Sequence, residues 1–128
     1  MKDNNSSAKK FDLEERLISF AVEVAKIIEL FPNSKAGNHL GSQLIRSGTS
    51  PALNYGEAQS AESRKDFIHK MKTILKELRE SRIGLTIVKR LSLVDSKDQI
   101  NSIMDEANQL ISIFVKSIDT AKKNTMNT

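Results

Sequence analysis

The sequence predicts an all-α protein: an up-down-up-down four-helix bundle in which neighbouring helices are antiparallel. Apolar residues recur in steps of three and four along four long stretches, which is the period of an amphipathic helix. Only two Pro and five Gly occur in 128 residues, too few for the frequent turns of an all-β fold. Short polar segments separate the four stretches, so each helix is expected to pack beside the next.

The predicted bundle occupies residues 11–123, between a disordered polar tail at 1–10 and a frayed tail at 124–128. Helix one is predicted from about residue 13 to residue 31. Asp12 and Glu15 have the spacing of an N-terminal capping pair, and Pro32 ends the helix. Its predicted buried face consists of Leu13, Leu17, Phe20, Val24, Ile27 and Phe31.

Helix two is predicted from about residue 38 to residue 61, and its middle is a poor helix former. Pro51 has no N–H to donate to the carbonyl of Ser47 and would clash with it, so a kink or a local break is expected near residues 47–50. Two interpretations are open. Small side chains here allow a neighbouring helix to approach closely, or a distorted turn offers free backbone groups to a ligand.

Helix three, predicted over residues 64–91, carries the strongest periodic signal. Ser63 and Asp66 form a capping pattern at its start. Gly84 costs about 1 kcal/mol of helix propensity relative to Ala, so we expect it to mark close packing. The predicted buried seam consists of Phe67, Met71, Ile74, Leu78, Ser81, Leu85 and Val88.

Helix four is predicted to follow Ser96, which has the capping spacing to Gln99, and to run to about residue 122. Ile100, Ile103, Ala107 and Phe114 continue the helical apolar period along it.

Polar residues are expected to fix the register of helices two and three. Because these helices are antiparallel across a corner near residue 62, residues whose numbers sum to about 124 lie level. This rule predicts an ion pair between Arg46 and Glu77, and it places Glu57 within reach of Arg64 or Lys70. The predicted structural network consists of Arg46, Asn54, Glu57, Asp66 and Glu77.

The positive charge of the chain is concentrated on helix three. Residues 63–91 contain nine Lys and Arg against three Asp and Glu, whereas helix one is acidic. The narrow basic face of helix three, opposite the buried seam, consists of Lys65, His69, Lys72, Lys76, Arg79 and Arg90. Such a face can follow a phosphate backbone, or it can be only a solvated surface.

No feature of the sequence indicates an enzyme, and neither a cofactor nor a metal is expected. His39 has no carboxylate nearby in sequence, and His69 lies on the basic outer face. A Glu-x-x-His pair, a glycine-rich phosphate loop and Cys do not occur. The N-terminal residues have no apolar signal core, and the most apolar run is interrupted by charges, so a cytoplasmic protein without membrane contact is predicted.

Helices two and three carry a spaced motif of Arg46, Ser47, Ser50, Asn54 and Glu57, followed by Asp66, Phe67 and Glu77. This motif resembles that of the bacterial four helix bundle protein family, also called the 23S rRNA intervening-sequence protein family. The likeness covers residues 11–120 approximately.

The resemblance implies a homopentamer with a central channel. It also implies a link to intervening sequences of large-subunit ribosomal RNA genes. Related accessory variability proteins of retroelements bind a reverse transcriptase and its RNA. No catalytic residue follows from the resemblance, and Arg46, Asn54, Glu57, Asp66 and Glu77 are the positions that match the motif.

Two hypotheses for the function follow. The first is a cytoplasmic homo-oligomer that binds structured RNA or DNA through helix three and the basic tails, as accessory to an RNA-handling complex. The second is a protein–protein assembly or adaptor module without a nucleic-acid role, in which the positive charge serves solubility.

Overall fold

Four long helices make up the fold, as the sequence predicts. The structure is a computed structural model that describes the backbone of residues 4–126 and the side chains of residues 13–124. The remaining residues of the two predicted tails, 1–3 and 127–128, lie outside the described residues. The helices are α1 (Asn4–Ile28), α2 (Lys35–Gln59), α3 (Arg64–Arg90) and α4 (Lys97–Met126).

Each helix packs on the next one in sequence. Among the described residues, α2 contacts α1 and α3 extensively, α3 contacts α4 extensively, and α1 meets α4 over a much shorter stretch. Over the part of the chain that the structure describes, the backbones of helices on opposite corners are not in close contact, which is the arrangement of an up-down-up-down bundle. The largest fully buried side chains include Leu17, Phe20, Leu44, Leu78 and Phe114. The predicted seam of α3 is confirmed, with Phe67 half-buried and the other six residues buried.

α1 differs from its prediction at both ends. It begins at Asn4 rather than near residue 13, because no Pro or Gly interrupts the segment, and residues 4–10 are therefore helical where a polar tail was expected. Asp12 consequently lies inside the helix and not at its start. At the other end, the amides of Leu30 and Phe31 donate to carbonyls three residues back, each at 3.0 Å, which tightens the last turn before Pro32.

α2 begins earlier than predicted and continues through its proline. The Ser34 hydroxyl accepts from the Gly37 N–H at 3.0 Å, a cap that the sequence analysis missed. The predicted local break near residues 47–50 does not occur, because tight packing of Ser47 and Gly48 outweighs the hydrogen bond that Pro51 removes. A bend at Pro51 stays a prediction.

Small residues allow α1, α2 and α3 to cross closely, which confirms the packing interpretation of this stretch. The buried Ser81 hydroxyl donates to the Ser47 hydroxyl at 3.0 Å. A Cβ at Gly84 would lie 2.9 Å from Cδ2 of Leu44, so the expected close packing at this glycine is also confirmed. A Cβ at Gly48 would lie 2.7 Å from Cγ1 of Val24 on α1.

α3 ends in a Schellman motif whose left-handed residue is a serine. Ser92 has φ 52°. Its N–H donates to the carbonyl of Lys89 at 3.1 Å, and the N–H of Leu93 donates to the carbonyl of Val88 at 3.2 Å. Glycine is the usual residue at this position, because a Cβ crowds the backbone there.

Ser92→Gly is therefore expected to raise the free energy of unfolding by about 1 kcal/mol, measured by urea denaturation. Ser60→Gly is the matched control, since Ser60 follows α2 with φ −104° and ψ 16°, a conformation that serine adopts without strain. No gain is expected there. An equal gain at both positions would mean that left-handed strain at Ser92 is not the cause.

Candidate nucleic-acid interface

The basic face predicted on α3 is exposed along its whole length. Lys65, His69, Lys72, Lys76, Arg79 and Arg90 all lie on the solvent side of the helix, away from the buried seam. The Ser63 hydroxyl accepts from the Asp66 N–H at 3.0 Å and starts the helix at Arg64, as predicted. This cap fixes where the helix begins, and burial of the apolar seam leaves the basic side chains facing outward.

Two isoleucines interrupt the basic face. Ile83 and Ile87 occupy the same side of α3 and are 56% and 41% exposed. The face is therefore continuous only between residues 65 and 79, roughly 21 Å of helix, with Arg90 separated from the rest. The sequence already carried this signal, since Ile83 and Ile87 follow Arg79 at steps of four.

α4 adds positive charge beside the basic face, which the sequence analysis missed. The acidic residues of α4 lie mostly in its first half, whereas Lys116, Lys122 and Lys123 lie in its last turns. Antiparallel packing brings these last turns beside the N-terminal half of α3. Lys122 thereby joins Lys72 and Lys76 around one groove.

We call this feature the α3–α4 groove. It has a volume of about 520 Å³, and both helices contribute apolar and charged side chains to it. It is lined by Lys72, Leu75, Lys76, Arg79, Glu80, Ile83, Val115, Ile118, Asp119 and Lys122.

The predicted ion pair between α2 and α3 is present. Nη1 of Arg46 lies 3.0 Å from Oε2 of Glu77, and Nη2 lies 3.0 Å from Oε2 of Glu80. The Glu80 hydrogen bond and the negative charge of Glu77 raise the pKa of Arg46 above its usual value. Because the pKa of Arg46 is higher in the folded than in the unfolded chain, the pairing stabilises the fold at every pH below the unfolded-state pKa. This stabilisation is lost only at strongly alkaline pH. It therefore adds no pH dependence near neutrality.

The other residues of the predicted network are not joined to this pair. Asn54 and Asp66 are half-buried and Glu57 is exposed. Among the described side chains, those of residues 13–124, no hydrogen bond or ion pair links these three residues to Arg46 or Glu77. Within the same range, Glu57 does not pair with Arg64 or Lys70. All five residues nevertheless lie along the α2–α3 hairpin.

The two acidic partners of Arg46 differ in burial, so their loss should have different costs. The side chain of Glu77 is 11% exposed and that of Glu80 is 38% exposed. We expect Glu77→Ala to lower the melting temperature by a few degrees more than Glu80→Ala, because an exposed ion pair contributes little. Thermal unfolding followed by circular dichroism measures this difference, and equal shifts would contradict it.

The sequence profile described as 23S rRNA-intervening sequence protein matches residues 9–116. The chain belongs to this family. The matched segment contains α2, α3 and the Arg46–Glu77 pair, and it ends before Lys122.

A solved structure supports the family assignment at the level of the fold. A protein of unknown function from the S23 ribosomal protein family of Bacteroides thetaiotaomicron is 28% identical to this family member, with a TM-score of 0.76. The match covers 83% of this chain and 97% of that chain. No curated protein matches the chain.

Both His39 and His69 are exposed. Across the described part of the chain, no group of three or more His, Asp or Glu side chains is placed to hold a metal ion. None of the helices, over their described residues, combines the length and apolar character that crossing a bilayer requires.

Proposed function

We propose that this protein is a non-enzymatic homo-oligomer, a pentamer as its family resemblance implies, that binds structured nucleic acid in the cytoplasm, with RNA favoured. The basic face of α3 is the binding surface. In this proposal the bundle is accessory to an RNA-handling complex, for which a reverse transcriptase is one candidate partner.

The convergence of α3 and α4 cations at one end of the bundle carries the proposal. Lys72, Lys76 and Arg79 are exposed side by side, and Lys122 of α4 stands across the groove from them. Clustered Lys and Arg neutralise phosphates and release their condensed counterions, which is the main source of sequence-independent affinity. Exposed aromatic side chains are not part of this surface, so recognition by backbone and shape is favoured over aromatic stacking.

Exposed apolar residues on α1 and α2 support self-association. Ile18 and Val22 of α1 are 42% and 44% exposed, and Ile45 and Leu53 of α2 are 41% and 72% exposed. Two different patches that meet between copies form a head-to-tail contact, which closes into a ring when the rotation permits.

Fluorescence anisotropy tests nucleic-acid binding with a structured RNA and a duplex DNA, titrated across salt concentrations, with light scattering on the same sample. We expect the logarithm of the association constant to fall with the logarithm of salt with a slope of about −3 to −4, from roughly four phosphate contacts. A well-formed oligomer that binds neither probe at low salt would exclude this function.

A protein–protein adaptor is the second candidate, and a larger groove favours it. This groove, about 930 Å³ in volume, lies at the α2–α3 corner and includes Tyr55, Phe67 and Ile113. An adaptor would keep its partner after charge reversal on the basic face, whereas a nucleic-acid binder would lose its ligand. Affinity capture with the wild-type oligomer and with an oligomer that carries charge reversals on the basic face separates the two functions.

A further inference from the structure

We propose that the α3–α4 groove holds unpaired nucleotides, with phosphates on its cationic rim and a base against its aliphatic floor. This inference rests on the proposed nucleic-acid binding and makes it more specific. Within a structured RNA, the ligand of the groove would be a loop, a bulge or a single-stranded end. The paired regions would contact only the outer cations.

The rim of the groove carries cations on both of its walls. Lys72, Lys76 and Arg79 extend from α3, and Lys122 extends from α4. Of the two carboxylates in the groove, Glu80 is bound by Arg46 at 3.0 Å. Cations therefore outnumber the remaining carboxylate, that of Asp119, and a phosphate between the walls can be neutralised from both sides.

The floor of the groove is aliphatic, which phosphate binding alone does not require. It is formed by Leu75 and Ile83 of α3 and by Val115 and Ile118 of α4. Ile83 remains 56% exposed, so a ligand group that covers it removes apolar surface from water. A nucleobase is flat and largely apolar on its faces, and it reaches such a floor when its nucleotide is unpaired.

A duplex cannot use this floor. Packed helices have axes about 8–10 Å apart, and the bases of a duplex are stacked in its interior, behind two phosphate backbones. The volume of about 520 Å³ suits one or two nucleotides. The groove should therefore distinguish single strands from duplexes, whereas the basic face by itself should not.

Part of the groove lies beyond the segment that the family profile matches. The match ends at residue 116, and Ile118, Asp119 and Lys122 follow it. The inference thus concerns side chains of this chain and does not follow from family membership.

Three probes of about twelve nucleotides test the inference by anisotropy at matched salt. They are an oligothymidylate, an abasic strand of the same length, and a duplex. The abasic strand keeps the phosphates and lacks the bases. We expect the oligothymidylate to bind about 5–10-fold more tightly than the abasic strand, the gain of roughly one base contact. We expect it to bind more tightly than the duplex as well.

Two isoleucines on the same side of α3 give a matched pair of variants. Ile83→Ser removes part of the floor, and we expect it to weaken binding of the oligothymidylate about 3–10-fold. The affinity for the abasic strand and the slope of the salt dependence should not change. Ile87→Ser is the control, since Ile87 is 41% exposed and does not line the groove. Light scattering verifies that both variants keep the wild-type assembly.

The outcomes separate this inference from the proposed function. Equal, strongly salt-dependent binding of all three probes overturns the inference and leaves nucleic-acid binding standing. No binding of any probe at low salt overturns both. If an acidic amphipathic peptide binds the groove and no oligonucleotide does, the groove is a protein-docking site, and the inference is again overturned.

Discussion

Reversing three charges on the basic face should nearly abolish nucleic-acid binding. In the variant with Lys72→Glu, Lys76→Glu and Arg79→Glu, we expect affinity at about 0.1 M salt to fall by about 10²–10³-fold. Each lost phosphate contact prevents the release of roughly one counterion, which lowers the affinity close to tenfold at this salt concentration. The slope of the salt dependence should also become shallower by about three. Fluorescence anisotropy with a structured RNA measures both quantities.

A second triple reversal controls for net charge. Lys26→Glu, Lys35→Glu and Lys97→Glu lie at the opposite end of the bundle, where α1 ends and α2 and α4 begin. Three reversals of two units each take the formal net charge from +4 to −2 in either variant. Unequal losses locate the binding surface. Equal losses would mean that only overall charge matters and that the basic face is a solvated surface.

The same substitution at two glycines of α2 should have opposite effects on stability. Gly56→Ala is expected to stabilise the fold by roughly 0.5–1 kcal/mol, because alanine favours the helix and the new Cβ meets no atom within 4 Å. Gly48→Ala should destabilise it by about 0.5–2 kcal/mol. Its Cβ would lie 2.7 Å from Cγ1 of Val24, and overpacking costs about 1–3 kcal/mol.

Val24 has little freedom to move away. It is fully buried, and its β-branched side chain has few rotamers in a helix. Urea denaturation of both variants measures the difference, and the double variant should show nearly additive effects since the two sites are separated by two helical turns. A gain at both glycines would indicate that α1 shifts outward and that the crossing is not tightly packed.

Local patterns predicted most of the fold, because helical period and capping depend on near neighbours in sequence. The seam of α3 and the Ser63 cap follow directly from spacing. The Arg46–Glu77 pair followed from one further step, since residues whose numbers sum to about 124 lie level in this antiparallel hairpin. The start of α1 was missed, since the plausible cap at Asp12 concealed that nothing interrupts the helix before it.

The candidate site was less predictable because it depends on two helices. The basic residues of α3 were visible on one helix, but Lys122 joins them only through the packing of α4 on α3. The separation of Asn54 and Glu57 from Arg46 likewise depends on where side chains point across the hairpin. A shared helical face was not sufficient to predict a hydrogen bond.

The limited contact between the described residues of α1 and α4 has a consequence for how the chain folds. The three extensive interfaces join helices that are adjacent in sequence, so most native contacts close short loops. The bridge from Arg16 to Glu106 spans 90 residues, so closing it costs more chain entropy than closing a hairpin between neighbouring helices. Because contacts between sequence neighbours cost less chain entropy to form, we expect the hairpins to form early and the edge between the first and last helices to close last.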